Sequence, residues 1–209
     1  GNKIAWSSMA KPGYESAKNT ILVYDFMTLM VTNVLEKYDM SADHVTWGEK
    51  DEEIYFTSGI NATFHLFNYD FKKKKINQIT KGRCNFSGFT LAGKSAFAQR
   101  STMQEPNDLF EINLKKGTYE RVLNWNKEIL SKLDKSSVRK HWVKTSTGEK
   151  MLTWMILPPG FDSTKKYPTL LYCQGGPQSA ISQYYSFRWN FELMAANDYI
   201  IVAPNRHGV

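Results

Sequence analysis

Two short stretches carry residue types suited to chemistry on a carbonyl group. Gln174-Gly175-Gly176-Pro177 follows the apolar run Thr169 to Cys173, and Asn205-Arg206-His207-Gly208 follows a second apolar run, Tyr199 to Pro204. Glycine has no side chain, so two successive backbone N–H groups at Gly175 and Gly176 can point at one ligand oxygen without steric cost. In acyl transfer such donors stabilise the negative oxygen of the tetrahedral intermediate, each contributing about 2.7–4 kcal/mol. An open α/β sheet binds its ligands beyond the carboxyl ends of its strands, which is where both stretches fall.

The elements that must hold them read as an α/β unit. Thr169 to Gln174 is a continuous apolar strand of the kind buried on both faces of a sheet. Phe187 to Asn197 puts Phe187, Phe191, Leu193, Met194 and Ala195 on one helical stripe, and Tyr199 to Pro204 is a second buried strand. Strand, helix and strand with short joints make a right-handed crossover and imply a parallel sheet. Upstream, Val138 to Thr145 and Lys150 to Leu157 flank a turn with Gly148 and read as an antiparallel hairpin. The proline-rich stretch from Leu157 to Pro168 is a loop, and Trp125 to Leu133 has helical spacing.

The first half keeps a different period. Ile21 to Phe26, Phe64 to Phe71 and Asn107 to Leu114 superpose on Asp25, Asp70 and Asn113, which stand 45 and 43 residues apart. That spacing lies within the roughly 40–50 residues of a propeller blade. In the middle copy, four apolar runs alternate with polar turns: Val45 to Trp47, Ile54 to Thr57, Phe64 to Tyr69 and Lys75 to Ile79. Trp6 and Trp47 occupy equivalent places and are expected to pack between blades. Three blades cannot close a ring, so the repeat is expected to be the end of a larger propeller. The expected organisation is mixed: propeller blades over 1–124, a linker helix over 125–137, and the first part of an α/β domain over 138–209.

Composition excludes several classes. With 42% hydrophobic and 14% aromatic residues the chain is globular, not disordered. The formal charge is +7, but the basic residues are scattered apart from Lys72 to Lys75, which fall at an expected hairpin turn. No nucleic-acid groove is expected, since one would need flanking aromatics and a second basic patch. Cys84 and Cys173 are far apart, with no His at ligand spacing, so neither a metal site nor a disulfide framework is expected, and no cofactor motif is present. No run of eighteen apolar residues suggests a membrane span.

The segments "YPTLLYCQGGPQS" and "FELMAANDYIIVAPNRHG", with the blade repeat before them, resemble the prolyl oligopeptidase family of serine peptidases, the group of dipeptidyl peptidase IV and acylaminoacyl peptidase. The resemblance implies a β-propeller joined to an α/β-hydrolase domain, a peptide substrate, and hydrolysis through an acyl-enzyme. It places an oxyanion contribution at Gln174, Gly175 and Gly176, with the Gln174 amide as a further donor. Relatives carry Tyr or His where Gln174 stands, and an Arg is frequent where His207 stands. Export to the periplasm or medium is also implied by resemblance, without excluding the cytoplasm.

The family's nucleophile lies in a Gly-x-Ser-x-Gly elbow followed by Asp and then His. No such elbow occurs in these 209 residues. His207 precedes the place where the triad base is expected, and His44, His65 and His141 lack a paired Ser and Asp at recognisable spacing. The chain alone is therefore expected to be inactive, with the triad beyond Val209. The strand from Thr169 to Gln174 is expected to lack its neighbour and to expose an apolar edge prone to self-association. The competing reading is a non-enzymatic propeller scaffold with a degenerate hydrolase tail.

Overall fold

A computed structural model describes residues 1–14, 16–175 and 179–206. Its contacts divide the chain into two compact units, Gly1–Arg100 with Leu109–Leu123, and Ser101–Asp108 with Asn124–Val209.

The first unit is built from antiparallel blades. A three-stranded sheet contains β1 (Lys3–Met9), β2 (Asn19–Asp25) and β3 (Met30–Asn33) in that order. The middle repeat forms β4 (Asp43–Trp47), β5 (Glu53–Ile60), β6 (Thr63–Asp70) and β7 (Lys75–Gln78), the four strands expected from its apolar runs. The third repeat forms β8 (Asn85–Ala92), β9 (Ser95–Thr102), β10 (Glu105–Asn113) and β11 (Tyr119–Arg121). A single parallel pair, Phe64 with Asn85, joins these two four-stranded sets.

Alternation along the middle blade explains its core. Successive strand residues face opposite sides. Ile54 and Phe56 of β5 therefore join Ile21, Val23, Phe67 and Tyr69 in one cluster. Tyr55 and Leu66 instead join Cys84, Phe86, Ala96 and Phe110 in another. Both faces of the blade are covered, and each fully buried side chain such as Phe56 contributes about 1.5–3 kcal/mol. Trp47 stacks on Phe71 with ring centroids 5.5 Å apart, whereas Trp6 keeps much of its surface exposed.

The repeat alignment has a physical cause. Asp25 Oδ1 accepts the Met27 N–H at 2.8 Å, Asp70 Oδ1 the Lys73 N–H at 2.9 Å, and Asn113 Oδ1 the Lys116 N–H at 2.9 Å. Each residue ends a strand and satisfies the turn that follows. The lysine run opens the β6–β7 turn, where Lys72 pairs with Glu52 and Lys73 with Asp70.

In the second unit, α1 (Lys127–Leu130) precedes β12 (Ser137–Lys144) and β13 (Lys150–Leu157), an antiparallel hairpin. Then come β14 (Thr169–Leu171), α2 (Phe191–Ala196) and β15 (Ile200–Pro204). The sheet order is β12-β13-β15-β14, with β13 and β15 antiparallel and β14 and β15 parallel. Ile156, Ile201, Ala203 and Trp154 form its buried face. The expectation that Thr169 to Gln174 is buried on both faces does not hold. Thr169, Leu170 and Leu171 are all exposed, because among the described residues β14 is the edge strand and pairs only with β15. The helix is also shorter than the stripe suggested, since Asn190 caps its start by accepting the Leu193 N–H at 3.1 Å.

Candidate active site

Because β14 and β15 are parallel neighbours, their carboxyl ends emerge side by side. The Tyr172 N–H still bonds the Val202 carbonyl at 2.9 Å, after which the chain leaves the ladder and reaches Gln174 and Gly175. β15 ends at Pro204 and is followed directly by Asn205 and Arg206. The sheet thus brings Gln174 beside Arg206.

Asn205 pins the adjoining loop. Its backbone N–H donates to the Leu152 carbonyl at 2.8 Å, its Oδ1 accepts the Ile181 N–H at 2.7 Å, and its Nδ2 donates to the Ile181 carbonyl at 3.2 Å. The buried Trp154 indole donates to the same Ile181 carbonyl at 2.7 Å. Ile181, Ser182 and Gln183 are buried, and the Gln183 carbonyl accepts the Ser101 hydroxyl at 3.1 Å. An unpaired polar backbone group here would be costly, which is why one amide side chain and one indole converge on one residue.

Gln174 uses its side chain for the loop itself. Its Nε2 donates to the Ser179 carbonyl at 3.0 Å and to Ser179 Oγ at 2.7 Å. The amide donor is therefore directed at Ser179, while Gly175 is exposed and a Cβ built on it would meet open space. The Gln174 carbonyl accepts from Arg206 Nη2 at 2.8 Å. Gly176, with Pro177, His207 and Gly208, lies outside the described residues.

Behind the loop, the Tyr172 ring meets Phe191 edge-on at 4.9 Å. Burial first, then the hydrogen bond with Tyr172, pushes the Tyr184 phenol well above its usual range, so Tyr184 stays neutral. A cavity of about 380 Å³ in this unit is lined by Leu130, Leu133, Tyr185, Asn190 and Leu193; none of Gln174, Gly175, Asn205 and Arg206 lines it. Among the described residues no group of three or more His, Cys, Asp or Glu could hold a metal ion.

The histidines occupy other settings. His65 is buried with Nδ1 3.2 Å from Thr80 Oγ1, His44 sits at a β4 irregularity beside Thr57, and His141 is exposed on β12. Sequence reasoning did not find the parts played by Asn205, Ser179 and Trp154. The one available signal was an asparagine placed immediately after a buried strand.

Blades followed by a hydrolase-type sheet are the arrangement that the resemblance to the prolyl oligopeptidase family implies, and the chain resembles that family in sequence and fold. No family model matches it. Along all 209 residues it is 43% identical to dipeptidyl-peptidase 5 of Porphyromonas gingivalis and 43% identical to that of Porphyromonas endodontalis. It is 29% identical over 214 residues to a probable dipeptidyl-peptidase 5 of Emericella nidulans. The chain spans 31%, 30% and 29% of the lengths of these three relatives, and 100%, 100% and 98% of its own length is matched. Among solved structures, the fold matches Pyrococcus horikoshii acylaminoacyl peptidase with a TM-score of 0.80 at 23% identity, covering 98% of this chain and 31% of that one. Porphyromonas gingivalis dipeptidyl peptidase 4 matches with a TM-score of 0.71 at 17% identity, covering 97% and 29%.

Proposed function

We propose that this chain is part of a serine-type dipeptidyl peptidase that hydrolyses short peptides through an acyl-enzyme. The observation that carries this reading is 43% identity over all 209 residues to a protein named dipeptidyl-peptidase 5. The chain's own contribution is the Gly175 N–H. It is exposed at the carboxyl end of β14, where a donor can meet the oxygen of a carbonyl under attack.

In the proposed reaction a serine hydroxyl from polypeptide outside these residues adds to the scissile carbonyl and gives its proton to a histidine. The carbonyl π electrons move to oxygen, which the bend stabilises. The C–N bond then breaks, the amine leaves with that proton, and water cleaves the ester by the reverse sequence. Gln174 acts through its peptide group, since its side chain holds Ser179.

The test is made on the polypeptide at the full length of its relatives. Dipeptides should be released from the amino terminus of short fluorogenic peptides, and a serine-directed phosphonate should abolish release and label one serine. These 209 residues alone should release nothing. A full-length protein that neither turns over such peptides nor takes the label would make the chain a scaffold.

A further inference from the structure

We infer that Arg206 is a positioning residue for the bend: its guanidinium fixes and polarises the peptide group between Gln174 and Gly175, aiming the Gly175 N–H at the reacting oxygen. The inference rests on the oxyanion role proposed above for that N–H.

The Gln174 carbonyl and the Gly175 N–H belong to one planar group, and in a trans peptide they point in opposite directions. No cis peptide bond is present among the described residues. Arg206 Nη2 donates to that carbonyl at 2.8 Å, so the N–H is directed away from the guanidinium. Each neighbour of this contact is itself held. Asn205, one residue before Arg206, is tied to Leu152 and Ile181 by backbone and side chain, and the Gln174 side chain is tied to Ser179. The peptide plane is thereby fixed across 32 residues of sequence, without help from a glycine that would otherwise turn freely.

The contact also acts on charge. A hydrogen bond from a cation is shorter and stronger than one between neutral groups, and bonds in a chain polarise one another. Electron density drawn toward the carbonyl oxygen leaves the N–H of the same amide a better donor. This benefit is greatest when a full negative charge forms opposite, that is, in the transition state and not in the bound substrate.

Arg206→Met and Arg206→Lys in the full-length polypeptide separate the two states. For Arg206→Met, kcat on a dipeptidyl amide should fall roughly tenfold to a hundredfold with KM changed about twofold at most, as expected for a donor displaced by a fraction of an ångström. Affinity for a peptide aldehyde, whose adduct carries the oxyanion, should weaken by the same factor. Arg206→Lys keeps the charge without the planar fork and should retain activity between the two. In the 209-residue chain, the Gly175 amide proton should move upfield in Arg206→Met. Unchanged kcat and aldehyde affinity in either variant, or an unmoved Gly175 resonance, overturns the inference. Should Arg206→Met fail to fold, Arg206→Lys decides it on the same readouts. An unaltered full-length protein that lacks phosphonate-sensitive turnover overturns the peptidase reading instead, while the Gly175 resonance still reports on the contact.

Discussion

The indole N–H of Trp154 donates to the Ile181 carbonyl at 2.7 Å, joining the middle of a sheet strand to the loop that follows the glycine bend. The same carbonyl accepts from Asn205, so a residue in β13 and one just past β15 hold a single point of the loop. Trp154→Phe removes one donor and part of the ring volume and should destabilise the second unit by about 1–3 kcal/mol. Asn205→Ala removes three side-chain bonds at once, the two to Ile181 and one from Nδ2 to the Leu152 carbonyl at 3.3 Å, and should cost more, with faster amide exchange at Ile181. Equal exchange in both variants and the unaltered chain would show that the loop is held by something else.

Acid should loosen the middle blade through His65. Its imidazole is buried, and burial lowers its pKa from 6.5 to about 4, against a smaller opposing effect from the Gly82 backbone. Between these values the unfolded chain binds the proton more readily. The contribution to stability is thus complete above pH 6.5 and is lost as the pH falls toward 4, by an amount on the order of 3 kcal/mol. Urea unfolding followed through β6 amides at pH 7.5 and 4.5 should show this loss in the unaltered chain, and His65→Gln should reduce it. An identical slope in the variant would assign acid sensitivity elsewhere.

Gly117 in the turn between β10 and β11 has φ +71°, and a Cβ there would stand 2.2 Å from the Ile79 carbonyl oxygen. Gly117→Ala therefore combines left-handed backbone with a collision against main chain that cannot swing aside, and should cost about 3 kcal/mol or more. Thermal unfolding of the first unit should report it. Gly148→Ala, with φ +88° and open space around it, should cost less.

The exposed edge of β14 carries Leu170 and Leu171 with nothing paired to its outer side among the described residues. In solution the 209-residue chain should self-associate through this edge, and Leu171→Lys should shift it toward monomer in light-scattering measurements. A monodisperse unaltered chain would refute the proposal.

Much of the architecture was legible because strand periodicity and turn chemistry are local. The four strands of the middle blade fell where apolar runs met polar turns, and the repeat was marked by Asp25, Asp70 and Asn113, whose carboxyl or amide oxygens each close a turn. The edge position of β14 was not legible, because apolar content alone does not say which strand lies outermost. At the site, the glycine bend announced itself by residue type. The Arg206 contact and the double grip on Ile181 join residues 32, 24 and 27 positions apart, and the pairing of β15 with β14 on one side and β13 on the other brings such partners within reach.

Residues 101–108 form the tip of the β9–β10 hairpin yet group with Asn124 onward, where Ser101 and Met103 bond Gln183. The second unit is consequently discontinuous in the gene. An expression clone opened at codon 124 would omit part of its fabric and take the Ser101 hydroxyl away from the main-chain oxygen of Gln183. Dissection of the two halves calls for a grafted octapeptide or a circular permutation, not a simple truncation.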